Sequence, residues 1–389
     1  MDRTNAINSV GGLYRDPDVG LGLRGTTLTA RDRNLTQEEI VNAVLGAGLT
    51  LSENDETQLL QAIQILGNQD MGVRNEFVNP GCFFNQRGGN PYSITAGDGA
   101  VYTLDQWLAN AGGPGGSMQV SQVSLVQGTA GNPDASSSAL QTQQIIAAVS
   151  STPYIAQRVA RLGMFSGRTI TVSWYARATA GSPQSITPEV RQVFGAGGSS
   201  DVSILGSPQA IDGSWARFEE SFDVPSDDGK TYGTSGAYLE VRLNLPLSTT
   251  PTVQFTQMQL EVGSSATPIE TRSRSLEYLL CSQFFQKSYA LNAAPGAVSS
   301  TGQITFEGSP SGSGGVWQCG RVLLPMRTIP TMTWYSPITG DVNKIDWSGE
   351  RAVVDTLYGH DRYTGVPQVS TDPGVTAFGR AHFTAEATY

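Results

Sequence analysis

The sequence predicts a mainly β protein: an N-terminal helical hairpin, an antiparallel, jelly-roll-like β-sandwich and a small C-terminal β domain. Three observations carry that expectation. Charged residues are 15% of the 389-residue chain, against roughly 25% in an average soluble protein, and its 45 glycines exceed the usual share of about 7%. Several segments alternate apolar and polar residues with period two, as strands do when one face is buried and the other is in water. Helical spacing flanked by cap residues is concentrated near the N-terminus.

Residues 1–34 are rich in Gly, Arg and Asp without a stable period and read as an extended arm that orders against a partner. Residues 35–75 read as a helical attachment segment. Thr36, with Glu39 three residues on, has a capping-box pattern. Ile40, Val41, Val44 and Leu45 follow at helical spacing, and Gly46 and Gly48 suit a C-cap. Ser52 and Asp55 offer a second start; Leu59, Leu60, Ile63 and Leu66 form its apolar face, and Gly67 a stop. A hairpin of about 30 residues cannot hold its own core. Ile40, Val44, Leu45, Leu59, Leu60, Ile63 and Leu66 are therefore the candidates for attachment or self-association.

Residues 76–270 read as the sandwich. In RTITVSWYARA, Ile170, Val172, Trp174 and Ala176 share one face. In ARFEESFDV, Phe218, Phe222 and Val224 share a face with Glu220. In YLEVRLNL, Leu239, Val241, Leu243 and Leu245 alternate with Glu240, Arg242 and Asn244. In PTVQFTQMQLEV the apolar set slips phase from Val253 and Phe255 to Met258, Leu260 and Val262, which predicts a bulge. NPGCFFNQRG (79–88) reads as the first strand, with Phe83 toward the core and Cys82 and Phe84 on the opposite face. Residues 109–139 and 178–186 read as exposed loops. Residues 271–285 fit a short amphipathic helix or a continuing strand. The strand-like pieces GQITFEG, RVLLPMR, TMTWYSP and AVVDTLYG come after it, so 271–389 reads as a separate C-terminal β domain.

The composition excludes several functions. Net charge is −10 and the lysines are three, Lys230, Lys287 and Lys344, with no basic run. A nucleic-acid binder needs clustered cations to neutralise phosphates. No apolar run approaches the ~18 residues of a membrane span, and MDRTNAINSV has no apolar leader core, so neither membrane insertion nor export by the usual route is expected. Cys82, Cys281 and Cys319 are odd in number and scattered, which argues for free buried thiols rather than a disulfide or zinc framework. His360 and His382 form no metal-spaced pair, and no GxSxG elbow is present. A glycosidase needs two carboxylates across a cleft. Glu219 and Glu220, adjacent on a strand, face opposite sides; Asp227 and Asp228 precede Gly229 in a turn. No catalytic residue, cofactor or metal is expected. Binding is the better reading. Trp317, Trp334, Tyr335, Trp347, Tyr358, His360 and Tyr363 concentrate aromatic faces and polar groups of the kind that take saccharides, although core packing competes for each.

Several pieces, in order, resemble bacteriophage tail fibre proteins. LTQEEIVNAVLGAGLTLSENDETQLLQAI (35–63) resembles their helical attachment segment. NPGCFFNQRG (79–88), YTLDQWLA (102–109), GRTITVSWYARA (167–178), GSWARFEESFDVP (213–225), YLEVRLNLPL (238–247) and FTQMQLEVGSSATPIETRS (255–273) resemble the carbohydrate-binding-module-like β-sandwich of such fibres. LEYLLCSQFFQKSY (276–289) resembles the segment after that sandwich, and LLPMRTIPTMTWY (323–335) its downstream strands. The resemblance implies a non-enzymatic, homotrimeric fibre of the virion, assembled in the host bacterial cytoplasm. Its N-terminal end would meet the phage tail or baseplate, and its distal end a host-surface glycan or protein. Residues 336–389 match no part of the pattern. Sandwiches of this kind often hold a structural calcium, yet no DxDxDG-like loop marks one here. The alternatives are a polysaccharide depolymerase on a fibre scaffold, or a collar or head fibre or baseplate component without a receptor role.

Overall fold

In the computed structural model the described residues are 7–9, 13–47, 49–69, 74–128, 131–133, 136–181, 183–234, 236–307, 321–322, 324–346, 350–355, 364–365, 368–369 and 378–389. Met1–Arg74 and Asn75–Tyr389 form two compact units.

The first unit contains α1 (Ala30–Gly46) and α2 (Gln58–Gln69). α1 starts well before Thr36. Thr29 is the N-cap: its hydroxyl accepts from the Asp32 amide, and the Asp32 carboxylate accepts from the Thr29 amide. A capping box is thus built with Asp rather than with the Thr36–Glu39 pair. Thr36 instead donates its hydroxyl to the Asp32 carbonyl inside the helix. Gly67 does not stop α2, which runs on to Gln69. Val44, Ala47 and Ala62 make the unit's small buried cluster among the described residues.

The second unit is a β-sandwich followed by a smaller β assembly. In chain order the sandwich strands are β1 (Tyr92–Thr95), β2 (Val101–Tyr102), β3 (Leu108–Asn110), β4 (Ser117–Ser124), β5 (Ser138–Ile146), β6 (Tyr154–Val159), β7 (Thr169–Ala180), β8 (Gln184–Val193), β9 (Val202–Leu205), β10 (Gln209–Ile211), β11 (Ala216–Asp223), β12 (Tyr238–Asn244) and β13 (Thr252–Val262). One sheet has the order β1-β4-β5-β13-β7-β11; the other has β10-β8-β12-β6-β3-β2, with β9 pairing β8. The described pairings are antiparallel. Between the sheets lie Trp107, Ile155, Val172, Trp174, Val190, Phe194, Leu239, Val241 and Phe255. Burying each large apolar side chain stabilises the fold by about 1.5–3 kcal/mol.

The alternation of β7 and β12 places Ile170, Val172, Trp174, Leu239, Val241 and Leu243 in this core. In β13 the pairing with β7 shifts register between Thr256 and Gln259, and Gln257 has φ 48°. The extra residue lets Phe255 and Met258 both face inward, as the phase slip requires. Val262 does not join them: it is 42% exposed at the strand's end.

NPGCFFNQRG is not a strand. Asn79 and Cys82 have positive φ, and the Cys82 amide closes a turn on the Asn79 carbonyl at 3.0 Å. The Asn79 side chain donates to the Phe84 and Asp105 carbonyls and accepts from the Phe84 amide, a local network that outcompetes ladder pairing. The facing is therefore inverted: Cys82 lies in the core, Phe84 is buried beside Tyr278, and Phe83 is only half-buried. The stretch 109–139 is not wholly loop either. SMQVSQVS is β4, with Met118 and Val120 buried between β1 and β5; the glycine-rich run before it turns.

Residues 271–285 resolve into a helix, α3 (Arg274–Ser282), capped by the Ser273 hydroxyl. Then come β14 (Phe285–Lys287), β15 (Ile304–Glu307), β16 (Arg321–Val322), β17 (Thr331–Tyr335), β18 (Lys344–Asp346), β19 (Glu350–Asp355), β20 (Thr364–Gly365), β21 (Gln368–Val369) and β22 (Phe378–Glu386). β22 pairs with β14, β15, β17 and β18, over a second core of Ile304, Met326, Met332, Trp334, Ile345 and Phe383. The two cores belong to one compact unit. Arg87 ties them: it bonds Glu386 at 2.8 Å and lies 5.0 Å from the Tyr102 ring and 4.4 Å from the Phe285 ring. The C-terminal Tyr389 sits against Tyr238 and Phe284, with the Arg327 guanidinium 3.9 Å from its ring.

Candidate functional site: the outer face of the seven-stranded sheet

Since β6, β8 and β12 send alternate residues into the core, the residues between them form the sheet's other face. Register sets these in rows. Arg158, Glu240 and Arg191 lie side by side across β6, β12 and β8. The next row is Leu108, Ala156, Arg242 and Glu189, and the next Asn110, Tyr154, Asn244 and Thr187.

Charge packing on this face is dense. The Glu240 side chain is 1% exposed and accepts from Arg158 Nε at 2.9 Å and Arg242 Nε at 2.6 Å, with Arg191 at 3.6 Å. Burial alone would raise the Glu240 carboxyl, but Arg242 and Arg158 outweigh it and hold it below its ordinary range. Arg158 is desolvated too, and its bond to Glu240 more than compensates, raising its pKa. Glu189 accepts from Asn244 Nδ2 at 2.9 Å and lies 3.7 Å from Arg191. Two tyrosines complete the face. The Arg242 guanidinium lies 4.0 Å from the Tyr154 ring centroid, and Arg158 4.6 Å from that of Tyr238, distances at which a cation and a ring attract. Burial raises both phenols. Tyr389 covers the Tyr238 end.

Such a surface suits a polyhydroxylated ligand. Each guanidinium carries five fixed N–H donors, and Arg191 and Arg242 each direct only some of theirs at the carboxylates. Half-buried Tyr238 adds flat apolar area, while Tyr154 is itself buried with Leu108 and Ala156 and serves as the floor under Arg242. The ion-pair lattice fixes the donors before any ligand arrives, which lowers the ordering cost of binding. Among the described residues no group of three or more His, Cys, Asp or Glu is placed to hold a metal.

No protein-family model and no curated protein matches the chain. Solved structures do. The enzymatically active domain of bacteriophage CBA120 tailspike protein 4 is 12% identical, with a TM-score of 0.30 over 49% of this chain and 22% of that one. The CBM22-1 xylan-binding domain from Paenibacillus barcinonensis Xyn10C is 16% identical, with a TM-score of 0.28 over 46% of this chain and 99% of that one. The family 11 carbohydrate-binding module of the Clostridium thermocellum cellulase Lic26A-Cel5E is 11% identical, with a TM-score of 0.27 over 46% and 97%. Each likeness covers less than half of this chain, which spans under a quarter of the tailspike domain.

Of the aromatic candidates singled out in the sequence, the described ones, Trp334 and Tyr335, fall elsewhere. Trp334 is fully buried and packs on Phe383 in the second core, so its ring has no face to offer a glycan. Tyr335 is half-buried, edge-on to Tyr289. Trp317, Trp347, Tyr358, His360 and Tyr363 lie outside the described residues. In the first unit Ile40, Leu45, Leu59, Leu60 and Ile63 are exposed, while Val44 is buried against Ala47 and Ala62. Leu66 lies on α2, its side chain outside the description. Sequence reasoning passed over Tyr154, Arg158, Glu189 and Arg191. The alternation in YLEVRLNL did put Glu240, Arg242 and Asn244 on one face, but which strands flank β12 is set by pairing between distant segments.

Proposed function

We propose that the chain is a structural virion protein, a homotrimeric bacteriophage tail fibre subunit that binds a host-surface glycan on the outer face of its seven-stranded sheet. The observation that carries the binding reading is Arg242, held by Glu240 and 4.0 Å from the Tyr154 ring, with part of its guanidinium left to water on the sheet face. The fibre reading is supported by the ordered set of tail-fibre-like segments. It is also supported by the exposed Ile40, Leu45, Leu59, Leu60 and Ile63, which a threefold partner or the phage tail or baseplate would cover. Catalysis is not part of the proposal. A glycosidase acid needs a raised pKa, whereas Glu240 is held low.

The test is a glycan array probed with the full-length chain and with Arg242→Ala, each checked by thermal melting. The wild type is expected to bind a defined glycan set and the variant to lose it; a wild type that binds no glycan refutes the reading. Light scattering should report three chains per particle, and a stable monomer would sink the trimer. Deleting residues 1–70 should block incorporation into phage particles; normal incorporation removes the anchor assignment.

A further inference from the structure

The second unit holds a cavity of about 500 Å³ away from the sheet face, where the 79–90 turn and β4 meet the segment after β14. Its lining is Phe83, Gly88, Leu291, Gln122 and three asparagines, Asn85, Asn90 and Asn292. None of these side chains is charged.

The walls are held in place from several directions. Asn90 and Gln122 grip each other: Asn90 Nδ2 donates to the Gln122 carbonyl at 3.2 Å, and the Gln122 amide donates to Asn90 Oδ1 at 3.0 Å. Gln122 Nε2 donates to the Cys82 and Phe83 carbonyls at 2.8 and 3.0 Å. Both its side-chain protons are thereby used, and no donor among the described residues reaches Oε1. The far wall is pinned by Lys287, whose ammonium donates to the Leu291 and Ala293 carbonyls at 2.8 and 2.7 Å. Gly88, at φ +78°, lets that wall approach, since a Cβ there would lie 2.5 Å from Ala294 Cα. The Asn292 amide makes no hydrogen bond with the described residues. One aromatic ring, Phe83, lies at the cavity, and the Arg274 guanidinium sits 5.1 Å from its centroid.

The Asn85 and Asn90 amides are held within the wall, which leaves the Asn292 amide, able to donate and accept, and Gln122 Oε1 for a ligand. With an aromatic ring, an aliphatic contact and no charged lining side chain, they match a neutral sugar, with hydroxyls at its edge and C–H groups on its face. The volume lies within the roughly 300–1,000 Å³ of ordinary small-molecule sites. We propose that this cavity is a second carbohydrate site, taking a neutral mono- or disaccharide unit independently of the sheet face.

The test is saturation-transfer NMR on the full-length chain with D-glucose, D-galactose, D-mannose, N-acetylglucosamine and, as the charged arm, D-glucuronate. At least one neutral sugar should give transfer. Asn292→Ala should weaken it about tenfold, the loss of roughly one hydrogen-bonded contact. In the Arg242→Ala background, where the sheet face no longer binds, transfer should persist, and Asn292→Trp, at an exposed position, should fill the mouth and abolish it. No transfer from any neutral sugar overturns the proposal. So does transfer insensitive to both Asn292 variants, transfer lost in Arg242→Ala, or glucuronate binding as well as the neutral sugars.

Discussion

Replacing Glu240 by Gln removes one charge and almost no volume from the centre of the sheet face. In the wild type that carboxylate is 1% exposed and faces Arg158, Arg191 and Arg242 at 2.9, 3.6 and 2.6 Å. Removing one partner of a buried ion pair costs about 3–5 kcal/mol, because the remaining charge is left uncompensated. Here the arginine side chains keep 18%, 25% and 17% of their surface, so water partly solvates them. The expected loss is about 2–3 kcal/mol. Linkage sets the sign with pH. The carboxyl's folded pKa lies below its ordinary value, so its contribution is fully present above about pH 4.5 and disappears as pH falls through the folded pKa. Urea unfolding of the wild type and Glu240→Gln across pH 3.5–7 measures this. The gap between them should be full near neutrality and shrink in acid. Equal stability at pH 7, or a gap that widens in acid, refutes the lattice as the source of the order on this face.

Other expectations concern the rest of the second unit. Trp334→Ala should destabilise it by about 3–5 kcal/mol through the cavity left in the second core, measured by chemical unfolding; a stable variant with impaired cell adsorption would return Trp334 to the surface. Gly88→Ala forces a side chain into left-handed backbone and against Ala294. It should cost about 1–3 kcal/mol, and a thermal melt identical to the wild type would contradict the close approach. Burial pulls the Lys287 ammonium down to about 8, with Asp105 opposing. Between roughly pH 8 and 10 the unfolded chain therefore binds more protons at this lysine, and its contribution makes stability rise with pH. Lys287→Met should reduce that slope; an unchanged slope counts against the burial.

The sandwich was legible where strands carry one wet and one dry face. TITVSW and YLEVRL read correctly because period two records burial locally, and the phase slip in β13 marks its bulge for the same reason. NPGCFFNQRG was misread because its two left-handed residues and the Asn79 network reverse the chain, which hydrophobic alternation cannot report. The helix at 271–285 is ambiguous in sequence because its apolar residues suit either period, and the Ser273 cap decides it. The binding face was least legible. Its members come from segments far apart in sequence, and only pairing brings Arg158, Glu240 and Arg191 into one row. Aromatic clustering along the chain pointed to Trp334 instead, a residue whose ring fills a core.

A structure of the full-length chain bound to its strongest array glycan tests the binding claim most directly. The glycan should lie along β6, β12 and β8, in contact with Arg242. A glycan held by residues 317–363, with nothing on the sheet face, would contradict it.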